Sequence, residues 1–328
     1  MKEGFMKKYK IISASMRTDL PAFYSPWFYE RLLDGKVMVW DPYTGTSTLV
    51  SLLKTDLERF VFWSRNYQPF FKCAEFLRKN DFQADFHYTI TGLPTEFEPC
   101  VQSLETSLKT FKELALRTSA SQVHWRFDPV LFTEKTPPSF ILDRFSKIAN
   151  SLSGYTQNCF FDLAVYESET SVSKLPSPPL KLQKEEVDLF LCSLKQIADQ
   201  ANIQLISSRM EYEIPNLIES ASCLEGGEKH LSLPSCACSQ TIDIGSYDTC
   251  LHGCVYCFAT ESREIALGRK KSHLKFSLSL PEPARFLKDW TPKHDPAYLQ
   301  NKKNERELAG EMQNAANQRL NETLMERV

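Results

Sequence analysis

Three cysteines late in the sequence have the spacing of a loop that binds an inorganic cofactor. Cys250, Cys254 and Cys257 are separated by three and then two residues. Thiolates at this spacing can bind three corners of a cubane iron–sulfur cluster, and the fourth iron is then left without a protein ligand. An iron of that kind can bind and activate a small molecule. The spacing is therefore compatible with a [4Fe-4S] cluster that has one open coordination position.

Zinc is the alternative metal for the same three thiols. A Cys-x2-Cys pair is common in structural zinc sites, where one further ligand completes the coordination. His252, Cys236 or Cys238 would supply that ligand. The combined three-plus-two spacing, and Tyr256 directly before the last cysteine, favour iron over zinc.

The other cysteines fall into two groups. Cys223, Cys236 and Cys238 form a second set close to the first. An auxiliary iron–sulfur cluster, a zinc ion or ordinary loop thiols would each account for it. The remaining four are scattered among apolar neighbours and are predicted to be buried or surface thiols without metal, namely Cys73, Cys100, Cys159 and Cys192.

Composition limits the class of protein. The chain has 328 residues, 42% of them hydrophobic, and a net charge of -2. This length is sufficient for an α/β barrel, and the charge gives no signal for nucleic-acid binding. No apolar stretch is long enough to cross a bilayer, and the N-terminus does not resemble a secretory signal. We therefore expect a cytoplasmic protein with no membrane partner.

Short β-rich runs alternate with helical patterns from Lys10 to about Arg209. This alternation is typical of parallel strands joined by crossover helices. The predicted strands are 9–15, 37–40, 59–63, 83–90, 122–127, 158–165 and 203–207. The predicted helices are 26–33, 69–79, 101–117, 138–152 and 184–201. We predict an α/β fold with a complete or partial TIM-barrel-like parallel β/α barrel, although an open doubly wound sheet would give the same pattern.

The chain is predicted to have three parts. Residues 1–210 would form the β/α barrel domain, 211–262 the cysteine-rich cluster-binding region, and 263–328 a C-terminal extension. Apolar residues recur every four positions in this extension and predict a terminal amphipathic helix: Leu308, Met312, Ala316, Leu320 and Leu324. This helix would dock on its own barrel or form a homodimer.

Polar and aromatic residues occur at or just after the ends of several predicted strands. In a parallel barrel these positions gather at the C-terminal rim, where ligands bind. The candidate cofactor-binding residues are Ser15, Arg17, Asp19, Trp63, Arg65, Asn66, Trp125, Arg126 and Asp128.

Arg17 and Asp19 have the chemistry to hold the carboxylate and amine of an amino-acid-like ligand. Purely structural roles compete with ligand binding at both positions, since Asp19 would also cap the next turn and Arg17 would also pair with an acid. For Arg126 and Asp128, the alternative to ligand binding is a buried ion pair between the two side chains.

Two resemblances extend this interpretation. The cysteine spacing with Tyr256 resembles the signature of radical S-adenosylmethionine enzymes. Motifs at 11–24, 61–66 and 125–129, together with the final cysteine run, resemble the bacterial domain-of-unknown-function family 1848 from about residue 10 to about residue 259. Met16 departs from that family, which usually has a basic residue at this position.

The resemblance implies an enzyme that binds S-adenosylmethionine through the open iron. One electron from a donor such as flavodoxin or ferredoxin would cleave the sulfonium, and the resulting radical would abstract hydrogen from a small-molecule substrate. Radical S-adenosylmethionine enzymes usually carry the motif after the first strand, whereas here it follows the last one. A zinc-stabilised binding module and an iron–sulfur redox sensor without catalysis are the alternatives.

Overall fold

The computed structural model describes residues 6–41, 45–164, 174–208, 219–220 and 241–281. Three predicted metal-binding residues, Cys223, Cys236 and Cys238, lie outside this part of the chain, as does the helix predicted near the C-terminus. No helix in the described ranges is both long and apolar enough to span a membrane.

The described residues form two sheets and seven α-helices. The strands are β1 (Ile11–Ser13), β2 (Lys36–Trp40), β3 (Ser47–Ser51), β4 (Arg59–Ser64), β5 (Ala84–Thr89), β6 (Val123–Val130), β7 (Asn158–Leu163), β8 (Gln204–Ser207), β9 (Glu219–Ser220) and β10 (Thr241–Asp243). The helices are α1 (Leu20–Phe23), α2 (Ser25–Asp34), α3 (Phe71–Lys79), α4 (Leu104–Arg117), α5 (Pro138–Leu152), α6 (Lys184–Gln200) and α7 (Arg263–Ser272). A short 3-10 helix, Gln68–Phe70, precedes α3.

The main sheet has eight strands in the order β10-β1-β4-β5-β6-β7-β8-β9. All of its pairings are parallel. The predicted α/β fold with a parallel sheet is therefore confirmed. The last strand lies beside the first, which is the order that a barrel requires, but no pairing of β9 with β10 occurs among the described residues. Closure into a barrel stays a prediction.

One strand was placed wrongly by the sequence pattern. The run 37–40 does form a strand, β2, but it pairs antiparallel with β3 in a separate two-stranded sheet. Only six residues separate β2 from β3 in the sequence, and parallel pairing would need a crossover of about a dozen residues. The hairpin is therefore the geometry that this connection permits.

The two faces of the parallel sheet have different chemistry. Large aromatic side chains pack against the helices on one face: Phe62 lies 5.5 Å from Phe28 of α2, and Trp125 stacks on Phe145 of α5 at 4.7 Å, measured between ring centroids. Because strand side chains alternate, neighbouring positions face the other way. There Trp63 stacks on His87 at 5.5 Å.

Asp243, at the end of β10, joins the last strand to the loop that follows the first. Its carboxylate accepts hydrogen bonds from the Ser13 hydroxyl at 2.7 Å and the Ser15 hydroxyl at 2.6 Å. The Met16 and Gly245 backbone N–H groups also donate to it, at 2.7 and 2.8 Å. A single carboxylate therefore fixes the loop after β1 against the segment that leads into the three cysteines.

Arg17 completes this junction. Its Nε lies 3.2 Å from Asp243 Oδ1, and one terminal nitrogen donates to the Asp243 carbonyl at 2.9 Å. Burial alone would raise the pKa of the Asp243 carboxyl, but Arg17 and the hydroxyls of Ser15 and Ser13 outweigh burial and lower it. Gly245 is required nearby, because a Cβ at that position would lie 1.8 Å from the Ser15 hydroxyl oxygen.

We predict that Asp243→Asn destabilises the protein in a pH-dependent way. A carboxyl with a lowered native pKa contributes stability above its unfolded pKa, near 3.9, and loses it as the pH falls through the native value. Urea unfolding at pH 7 should show a loss of about 2 kcal/mol in the free energy of unfolding. The difference from wild type should shrink at pH values below about 3.9.

Asp81→Asn is the control for that experiment. The Asp81 side chain is 86% exposed and lies 3.6 Å from Lys54 at the surface, so its replacement should change the free energy of unfolding by less than about 0.5 kcal/mol. Equal stability of wild type and Asp243→Asn at pH 7 would contradict the structural role given to Asp243.

Candidate functional site

The three predicted ligands line one cavity. Cys250, Cys254 and Cys257 are half-buried, form no disulfide, and border a cavity of about 340 Å³. The described lining contains no other cysteine. The cavity lies next to the loops that follow the strands of the parallel sheet, because the cysteine loop follows β10 and contacts residues after β1, β4 and β5. This is the edge of a parallel sheet where ligands bind.

The loop that carries the cysteines is shaped by its own backbone. Gly253 has a φ of 69°, in the left-handed region that favours glycine. The Cys257 N–H donates to the Cys254 carbonyl at 3.1 Å, which forms a tight turn between these two thiols. The Val255 N–H donates to the Phe97 carbonyl at 3.1 Å, so the loop is also fixed to the segment after β5.

His252 connects the cysteine loop to the loop that follows the first strand. Its Nε2 lies 2.7 Å from Asp19 Oδ2, and both side chains are buried. Asp19 also accepts from Ala22 N–H at 2.9 Å, from the Ser64 hydroxyl at 2.7 Å and from Arg65 N–H at 2.8 Å. Asp19 thus caps α1, as the structural interpretation of the sequence proposed, and also joins three loops.

A second contact holds the same two segments together. The Thr18 hydroxyl donates to the Ser246 carbonyl at 2.9 Å and lies 2.7 Å from the Thr249 hydroxyl. The loop after the last strand therefore reaches the loop after the first strand through buried hydrogen bonds. Because β10 lies beside β1, a cysteine motif that follows the last strand still lies close to the loop after β1.

Arg65 and Glu98 form a buried ion pair beside Cys254. The Arg65 Nη1 and Glu98 Oε1 atoms are 2.7 Å apart. The Tyr256 hydroxyl accepts from Arg65 Nη2 at 2.5 Å and donates to Glu98. Burial alone would lower the pKa of Arg65, but Glu98, Tyr256 and Cys254 raise it. The guanidinium therefore stays charged next to a predicted ligand.

Burial disfavours the thiolate form of two of the three cysteines. Burial, with the nearby Asp19 carboxylate, raises the pKa of the Cys250 thiol well above its usual range. Burial also raises the pKa of Cys254 to about 12, although Arg65 acts in the opposite direction. A bound metal or cluster must displace these protons, since the ligand is the thiolate.

Some of the other candidate residues lie at the rim, which is the edge formed by the carboxyl ends of the parallel strands, and others lie in the core. Ser15 and Arg17 lie at the rim and bind Asp243. Asn66 also lies at the rim, where its Oδ1 accepts from the Gln68 N–H at 3.0 Å. Trp125 is fully buried, and its Nε1 donates to the Ile90 carbonyl at 2.9 Å, so its ring belongs to the packed core.

Arg126 and Asp128 are paired, as one interpretation of the sequence proposed. Arg126 Nη2 lies 2.5 Å from Asp128 Oδ2 and 3.4 Å from the Ser208 hydroxyl. The Asp128 carbonyl is also 3.5 Å from Arg65 Nη2. This pair therefore adjoins the Arg65 network and belongs to the same rim. Trp63 is half-buried on the sheet face that carries His87.

Sequence reasoning missed two carboxylates of this site. Glu98 lies in the loop after β5, and Asp243 ends a strand of only three residues. Neither belongs to a motif, and their partners are far away in sequence: Glu98 binds Arg65, 33 residues away, and Asp243 binds Arg17, 226 residues away. Such pairings become visible only when the fold brings the strand ends together.

Three thiols are the type of donor that a cubane cluster takes from a protein. Each thiolate of a cubane site binds its own iron atom, so the sulfurs surround the cluster and do not converge on one ion. Among the residues that the structure describes, no group of three or more His, Cys, Asp or Glu side chains is arranged to hold a metal ion. Cys250, Cys254 and Cys257 would hold the three ligated irons, and the cavity that they border would receive the cluster.

Comparison with known proteins identifies the family. The family model described as "Domain of unknown function (DUF1848)" matches residues 11–259. No curated protein and no solved structure shows a significant match to the chain. The matched range includes every described strand of the parallel sheet and all three cysteines of the cavity. The chain therefore belongs to the DUF1848 family.

Proposed function

We propose that this protein is a radical S-adenosylmethionine enzyme that acts on a small molecule. The observation that carries the proposal is the cavity bordered by Cys250, Cys254 and Cys257 at the ligand-binding edge of a parallel sheet. An open-iron [4Fe-4S] cluster with bound S-adenosylmethionine supplies, on one-electron reduction, cleavage of the sulfonium bond. Closure of the sheet between β9 and β10 into a barrel is part of this proposal.

The protein's own residues would position the reactants and restrict water. Asp19 and His252 hold the cysteine loop against the β1 end of the sheet. Asp243 orders the backbone of the loop after β1, and Arg17 is fixed beside it. Because Arg17 and Asp19 already bind protein partners, their main role in this proposal is to order the rim.

The reaction needs an electron donor and a reducing location. A flavodoxin or ferredoxin would deliver the electron, and a cytoplasmic location would keep the cavity thiols free of disulfides. The proposal includes both. It leaves the substrate defined only as a small molecule, because the fold hosts many reactions.

We predict that the anaerobically reconstituted full chain binds about four irons, with a visible absorption and electron paramagnetic resonance signal that S-adenosylmethionine perturbs. Cys254→Ala should lower the iron content and remove the perturbation, because the cluster loses one of its three ligands. Cys192→Ala is the matched control, since Cys192 is an exposed thiol on α6, away from the cavity lining. Zinc without iron in anaerobically purified protein would contradict the proposal and favour the zinc-stabilised module.

We also predict that the reduced, cluster-loaded protein converts S-adenosylmethionine to 5′-deoxyadenosine, measured by liquid chromatography with mass detection. Cys254→Ala should reduce this product to the background of the reductant alone, whereas Cys192→Ala should retain it. A cluster that binds iron and is reduced, yet forms no 5′-deoxyadenosine, would identify a redox sensor and overturn the enzymatic proposal.

A further inference from the structure

Two opposite charges are fixed beside the proposed cluster without acting as ligands. The Arg65 and Glu98 side chains are 12% and 5% exposed, and their charged atoms are 2.7 Å apart. Both are hydrogen-bonded to the hydroxyl of Tyr256, the residue directly before Cys257. Neither charge is solvated enough for salt to screen it strongly. Their effect at the cavity should therefore persist at ordinary ionic strength.

Tyr256 connects this ion pair to the cysteine loop. Its hydroxyl lies between Arg65 and Glu98, and the Arg65 guanidinium sits 5.8 Å from the centre of its ring. The Thr91 hydroxyl donates to Glu98 Oε1 at 2.8 Å. Hydrogen bonds thus hold both charges at fixed positions relative to the residues between Cys254 and Cys257. Because these positions are fixed, each charge has the same electrostatic effect on the cofactor in every protein molecule.

Reduction adds one negative charge to an iron–sulfur cluster. A nearby positive charge stabilises the reduced form and a nearby negative charge destabilises it, so local charge is one of the factors that set the potential of such clusters. We propose that Arg65 raises, and Glu98 lowers, the reduction potential of the cluster held by Cys250, Cys254 and Cys257. This inference rests on the proposed function and assigns a tuning role to two residues that do not ligate iron.

The test is a redox titration of the reconstituted full chain, followed by the electron paramagnetic resonance signal of the reduced cluster. For Arg65→Gln, the ratio of reduced to oxidised cluster at a fixed solution potential should fall about tenfold, which corresponds to a shift of about 59 mV to a more negative value for one electron. Glu98→Gln should shift the potential in the positive direction. Both variants break the same ion pair, so a merely structural role would not produce shifts of opposite sign.

Two further variants serve as controls. Arg59→Gln removes a charge of the same kind from the opposite end of β4, where Arg59 pairs with Asp85 at 2.9 Å, and should leave the potential unchanged. Arg65→Lys keeps the positive charge and should give a potential closer to wild type than to Arg65→Gln.

The outcomes separate this inference from the proposed function. Shifts of the same sign in Arg65→Gln and Glu98→Gln, or no shift in either, would overturn the inference. The proposed function would be unaffected by that result, provided that the wild-type protein binds iron. A wild-type protein that binds no iron would remove both. If Arg65→Gln does not load iron, Glu98→Gln decides: a positive shift supports the inference, and an unchanged or more negative potential overturns it.

Discussion

The candidate site depends on the buried carboxylate of Asp19. An ionised carboxylate removed from water loses several kcal/mol of solvation, which is recovered only when its oxygens are well hydrogen-bonded. Asp19 has four donors, which come from α1, from Ser64 and Arg65 at the end of β4, and from His252 in the cysteine loop. Their positions are interdependent, because displacement of any one segment leaves a buried charge partly unsatisfied. The need to hydrogen-bond the buried Asp19 carboxylate therefore fixes the position of the cysteine loop.

The body of the protein and the rim are stabilised by different interactions. Aromatic side chains fill the space between sheet and helices, as where Phe62 lies between Phe28 and Phe86. The rim is held by polar networks centred on carboxylates, Asp243 and Glu98 among them. Apolar packing is not directional, whereas hydrogen bonds to a carboxylate fix both distance and angle. The second kind of interaction is the one that can hold three thiols around a cofactor.

Sequence patterns predicted the long elements well because these bury regular apolar faces. The predicted helix 138–152 matches α5, and the helix predicted from 101 begins at Leu104 because the Ser103 side chain caps it by accepting from Thr106 N–H. The strand β10 has three residues and β9 has two, too few to show an alternating pattern, and no strand was predicted for either. The hairpin of β2 and β3 was missed because a single strand pattern carries no information about the direction of its partner.

The candidate site was only partly visible in the sequence. The three cysteines, Arg65 and Asp19 were identified from spacing and from their positions after predicted strands. The sequence could not show which side chains satisfy one another, because those contacts depend on which strands are neighbours. The position of β10 beside β1 is the clearest case, since it explains how a late cysteine motif reaches the loop after the first strand.

Anomalous X-ray scattering from crystals of the anaerobically reconstituted protein tests the central claim most directly. Data collected on either side of the iron absorption edge should show an iron peak in the cavity, within bonding distance of the sulfur atoms of Cys250, Cys254 and Cys257. A peak at the zinc edge alone, or two of these sulfurs joined in a disulfide, would contradict the account.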